Sequence, residues 1–62
     1  MDTVHEVVLK LAGEELEILD ELLESERSRL LVEIRHTDHR SYRDELRHRL
    51  DVVEQLQKNC KD

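Results

Sequence analysis

The sequence predicts an all-α protein: an antiparallel hairpin of two long helices, expected to dimerise into a four-helix bundle, with a short extended arm at the N-terminus. Three observations carry this reading. The 62 residues contain no Pro, one Gly, one Tyr and neither Phe nor Trp, and 42 % are charged; that is the composition of well-solvated amphipathic helices rather than of a sheet. Apolar residues recur at intervals of three and four on both sides of Ile34-Arg35-His36-Thr37-Asp38-His39, which is the spacing of one helical face. The two sides also mirror each other. Ile34 and Tyr42, Leu30 and Leu46, Leu23 and Val53, and Leu16 and Cys60 lie equidistant from Asp38, as two antiparallel helices with equal rise per residue require.

The chain divides into an arm, residues 1–13, and the hairpin, residues 14–62. In Glu6-Val7-Val8-Leu9-Lys10-Leu11, apolar side chains at 7, 9 and 11 alternate with a partly polar set, which favours an extended segment and makes a strand the leading expectation. Val4, Val7, Val8 and Leu11 also fit a helical face, and a disordered acidic arm is the plainer alternative. A strand here has no partner within the chain, so it would have to pair with another copy.

The first helix is expected over about residues 14–36. Glu14 and Glu15 place negative charge in its first turn, where it complements the helix dipole, and Ala12 or Gly13 serves as a mediocre cap. Two apolar stripes run along it. Leu16, Leu19, Leu23, Leu30 and Ile34 face the second helix, with Glu26 taking one core slot opposite Leu50. Ile18, Leu22, Ser25, Arg29 and Val32 form the second stripe, displaced by a quarter turn or more at 100° per residue. Leu31 widens the apolar surface further.

The second helix is expected over about residues 38–59, capped by Thr37 or Asp38. Tyr42, Leu46, Leu50, Val53, Leu56 and Cys60 make its single stripe, with Val52 well off it. One helix therefore has two apolar faces and the other has one, which puts helix one in the middle of a larger assembly. A chain this short gains little from its own core. A two-fold dimer through Ile18, Leu22, Ser25, Arg29 and Val32 is the expected solution, with helix one antiparallel to its mate about an axis near Ser25.

The net charge of −6 argues against general affinity for nucleic acid or an anionic membrane. The charge is unevenly spread: residues 1–26 hold nine acids and one base, whereas residues 27–49 hold seven arginines against four acids. No apolar run is long enough to span a bilayer and the N-terminus lacks the features of a secretory signal, so a soluble cytoplasmic protein is expected. The lone Cys60 excludes an internal disulfide and reads as a small core filler. No glycine loop or nucleophile beside a base is present, so no enzyme activity and no cofactor are expected. Glu26 reads as a carboxylate paired with one of Arg27, Arg29, Arg47 and Arg49 rather than as a catalytic acid.

His36, Asp38 and His39 are weak candidates for a metal site, because imidazole and carboxylate at this spacing suit a divalent ion but one turn supplies at most three ligands. His48 and His5 stand apart from them. Arg35, Arg40, Arg43 and Arg47, with Arg49, are the residues of a possible nucleic-acid contact, although Glu33, Asp44 and Glu45 intersperse them and no aromatic side chain accompanies them for base stacking. In length and layout the hairpin resembles the repressor-of-primer family of RNA-binding hairpin dimers, a likeness of architecture without a shared residue motif. The Ile34-x-His36-Thr37-Asp38 turn between charged helices also resembles small bacterial hairpin proteins over residues 14–58, which implies no activity. The expected function is thus a self-associating structural or protein–protein interaction module that binds itself and an unidentified protein partner. The alternative is an RNA- or DNA-binding dimer using the basic turn.

Overall fold

The computed structural model describes residues 6–60, of which 13–60 form two α-helices joined by a three-residue turn and packed against each other. α1 spans Gly13–His36 and α2 spans Arg40–Cys60. The chain starts α1 at Ala12, whose carbonyl accepts the Leu16 N–H at 2.9 Å. Alanine has no side chain with which to cap, so satisfaction comes from the other direction: the Glu15 carboxylate accepts the Ala12 N–H at 2.9 Å, one half of a capping box. At the far end Arg35 and His36 occupy the last turn, where positive charge suits the carbonyl end. Thr37 then leaves the helix in an extended conformation, φ −94° and ψ 138°.

Thr37 and Asp38 do not start the second helix as expected. Reversing direction uses all of Thr37, Asp38 and His39, and the first intrahelical bond of α2 runs from the Arg43 N–H to the His39 carbonyl at 2.9 Å. Thr37 instead closes α1, and its carbonyl accepts a 2.8 Å hydrogen bond from Arg43 Nη2. That bond ties the first turn of α2 to the end of α1.

Leu30, Leu46 and Val53 are the buried centre of the hairpin, and Leu23, Ile34 and Leu50 pack on them. Leu30 is fully enclosed. The mirror pairs Leu30/Leu46 and Leu23/Val53 thus share one cluster, as the antiparallel register demands. Each such burial is worth about 1.5–3 kcal/mol, and among the described residues only these three reach it. Measured through its thinnest dimension the molecule is 14 Å, scarcely more than one helix with its side chains. A domain normally buries its apolar faces between two packed layers; this one is a single layer, wet on both sides.

The outer positions of the α2 stripe differ from expectation. Tyr42 and Leu56 were expected in the seam, but they are 48 % and 45 % exposed. From Val53 the seam continues through Gln57, which is half-buried, and not through Leu56. Positions 46, 50, 53, 57 and 60 keep one phase at 100° per residue and 56 swings onto the flank; 42 shares that phase but lies in the first turn of α2, at the end of the seam. α1 has its apolar residues spread more evenly around its axis than α2, which concentrates them on one side.

Residues 6–12 carry no regular secondary structure, so the strand expected over Glu6–Leu11 is absent among the described residues. The reason is the one that made the strand costly: no second strand is available to satisfy its backbone. Val7, Val8 and Leu9 are exposed, while Val4 and His5 lie outside the described residues. Among the described residues no helix is long and apolar enough to cross a membrane.

Candidate functional site

Ile18, Leu22 and Val32 of α1 are 49 %, 62 % and 51 % exposed. With Ser25 and Arg29 they occupy one stripe of the helix, since their spacings of four, three, four and three return to nearly the same direction. This stripe is not opposite the core but about a third of a turn from it, so it borders the seam with α2. The side of α2 that it borders is identified by two observations. Arg29 and Glu33 share a shallow groove with Tyr42, His48 and Arg49, and Arg49 reaches over to Glu26. Tyr42, Arg49 and Leu56 follow one another at seven-residue intervals along this flank. Ile18, Leu22 and Val32 of α1 therefore lie on the same face of the hairpin as Tyr42 and Leu56 of α2, whereas the exposed Leu31 lies on the other.

A charged cluster occupies the middle of that face. Glu26 follows Leu23 at core spacing, which brings its carboxylate to the edge of the seam with its side chain 23 % exposed. Its Oε2 accepts from Arg29 Nη2 at 2.7 Å and from Arg49 Nε at 2.8 Å, and its Oε1 accepts from Arg29 Nε at 3.1 Å. Arg29 Nη1 also donates to Glu33 at 2.6 Å. The Arg29 guanidinium first, and that of Arg49 second, hold the Glu26 carboxyl below the usual glutamate range, outweighing the partial loss of water around it. Glu26 and Glu33 in turn hold the Arg29 guanidinium more firmly protonated. Two carboxylates, Glu26 and Glu33, thus balance two guanidiniums, Arg29 and Arg49, and the Glu26 carboxyl is held in its charged form.

On the opposite side the helices are joined by Gln57 Nε2, which donates to Glu24 Oε1 at 3.0 Å, while Arg27 forms a forked pair with the same carboxylate at 2.9 and 3.1 Å. The Gln57 contact was not anticipated from sequence. Its signal was the phase of position 57, masked by the more apolar neighbour Leu56.

The turn residues do not converge. His36, Asp38 and His39 are exposed, and among the described residues no three His, Cys, Asp or Glu side chains are grouped as metal ligands. Of the candidate nucleic-acid contacts, Arg43 is half-buried and bonded to the Thr37 carbonyl, whereas Arg35, Arg40 and Arg47 are exposed. Arg47 lines a groove with Leu31, Ile34 and Leu50, on the side of the seam away from Tyr42. The concavities described are open grooves along the helices. No protein-family model, curated protein or solved structure matches the chain. The fold places it simply among two-helix antiparallel hairpins, a class defined by geometry and not by an activity.

Proposed function

We propose that this hairpin is a self-associating, non-enzymatic interaction module, whose two copies form a four-helix bundle that serves as a structural or protein-docking unit in the cytoplasm. The observation that carries the reading is the exposed stripe of Ile18, Leu22 and Val32 on a single layer of helices that buries only three of the described residues as a core. Large apolar side chains exposed along one face, here on either side of a charged cluster, are characteristic of a surface that meets another protein, and a second layer is what so small a core lacks. A homodimer is the simplest closed supply of that layer. Nucleic acid is less well served, because Arg43 is spent on the turn and Arg47 lies on the other side of the seam.

The test is light scattering on the purified chain at micromolar concentration. Twice the chain mass of 7.5 kDa is expected for the wild type, and a monomer for Leu22→Glu. A wild-type monomer overturns the reading.

A further inference from the structure

The open end of the hairpin holds a carboxylate oxygen without a donor, and the arm beside it carries an unpaired base. Gly13, Leu16, Glu17 and Asp20 of α1 line a groove with Cys60, the last residue of α2. Asp20 Oδ1 is buried and accepts no hydrogen bond. Asp20 lies one turn before Glu24, so this groove continues the side of the seam that carries the Gln57–Glu24 bond, away from Ile18, Leu22 and Val32. Lys10 is the only lysine or arginine among the first 26 residues, which hold nine acids. It is exposed, and among the described residues it has no partner. We propose that the arm is a strap that closes over this groove, held by an ion pair between the Lys10 ammonium and the Asp20 carboxylate of the same chain, and that closure shields the Cys60 thiol. Self-association through the opposite face is neither required for this closure nor obstructed by it.

The path of the chain favours it. Leu11 immediately precedes the cap residue Ala12, and Leu16 is the fourth residue of α1; these are the two positions of a hydrophobic staple, which fixes the angle at which a chain enters its helix. Leu11 is accordingly the least exposed of the large apolar residues described in the arm, and Leu16 is a wall of the groove. The reach is also sufficient. Asp20 lies about 10 Å along the helix axis from Gly13, and the three residues back to Lys10 span up to about 11 Å. The four-carbon lysine stem extends that reach, so the pair forms without a fully stretched backbone and without moving either helix. Lysine suits the place because its stem can lie on apolar Leu16 while its head stays at the carboxylate. A buried acceptor without a donor is unfavourable, and the ammonium brings three donors. Were α1 instead to continue through the arm as a helix, Lys10 would stand about 15 Å from Asp20 along the axis, and the oxygen would stay unpaired.

Cys60 is the only cysteine and reports on closure. The experiment measures its alkylation by iodoacetamide, a neutral reagent, in the full chain, with circular dichroism and light scattering on the same samples. Lys10→Met keeps an aliphatic stem and removes the charge. It is expected to raise the alkylation rate about two- to fivefold, the range for a partly exposed pair, with helix content and mass unchanged. The sign is diagnostic, because a cation acting on the thiol only through its field favours the thiolate, and its removal would slow alkylation. In an Asp20→Asn background the same Lys10→Met change is expected to have no effect, since the pair is already broken. A slower or unchanged rate in Lys10→Met, or an equal acceleration in both backgrounds, overturns the strap. Wild-type protection that is lost on dilution places the arm on a second copy and overturns closure within one chain. A monomer mass in every sample overturns self-association and leaves the strap standing.

Discussion

Arg49 of α2 donates its Nε–H to the Oε2 of Glu26 in α1 across 2.8 Å, joining residues 23 positions apart in the chain. Together with the Gln57–Glu24 bond on the other side, it brackets the apolar seam between two polar ties. A helix can slide or roll along an apolar stripe at small cost, because many side-chain packings are nearly equal. Hydrogen bonds with defined donors and acceptors penalise those alternatives. The hairpin's register therefore rests on packing at Leu30 and Leu46 and is made unique by these two crossings.

The Glu26 carboxyl predicts a pH dependence of stability. Its pKa in the folded chain is depressed by Arg29 and then Arg49, so the unfolded chain takes up this proton first as the solution is acidified. The associated stability is present above the ordinary glutamate range and is lost as pH falls through the depressed folded value. Urea unfolding of the wild type and Glu26→Gln should differ most at neutral pH and converge in acid. A gap that stays constant down to pH about 3 would contradict the assignment.

Among the described residues, Leu30 is the one fully enclosed side chain. Leu30→Ala should cost about 2–5 kcal/mol, the range for truncating a buried leucine. A domain of this size has few kilocalories to lose. Loss of most helical circular dichroism at 25 °C is expected, whereas Leu9→Ala, in the exposed arm, should leave the spectrum and melting midpoint unchanged.

Arg43 braces the turn through the Thr37 carbonyl. Its replacement by Met keeps the aliphatic stem and removes the donor, so Arg43→Met should destabilise by about 1 kcal/mol. Faster amide exchange at the first turn of α2, with the open end unaffected, is the distinguishing sign. If Arg43 instead acted on nucleic acid, the variant would lose retardation of mixed RNA and DNA at low salt without changing exchange.

Gly13 opens α1 with no positive φ, and a methyl group placed on it meets nothing within 4 Å. Gly13→Ala should therefore stabilise the chain, by about 0.4–1 kcal/mol, mainly through lower entropy of the unfolded state. Thermal melting should rise by a few degrees; a fall would show that the first turn needs the freedom of glycine.

Much of this hairpin is written in interactions that do not extend beyond four residues. The absence of Pro, the acids at Glu14 and Glu15, and apolar spacing around Leu23, Leu30, Leu46 and Val53 specify two helices, because helical hydrogen bonds and side-chain neighbours are local. The pairing of Glu26 with an arginine was legible for the same reason: a carboxylate in a core slot must find a cation, and Arg29 is three residues away. The roles of Tyr42, Leu56 and Gln57 were not legible. Whether the seam passes through 56 or 57 depends on the angle at which two packed helices meet, and one residue turns a side chain by 100°. Thr37 was similarly ambiguous, as the end of one helix or the start of the next, until the path of the turn placed its carbonyl before Arg43. The arm illustrates the converse: alternation at Val7, Leu9 and Leu11 suits a strand, but a strand exists only where another backbone pairs with it, and the fold supplies none among the described residues. Local pattern thus determined the helices and their apolar faces. Which flanking residues close the seam, and which are left facing outward, was decided by contacts between residues far apart in the chain.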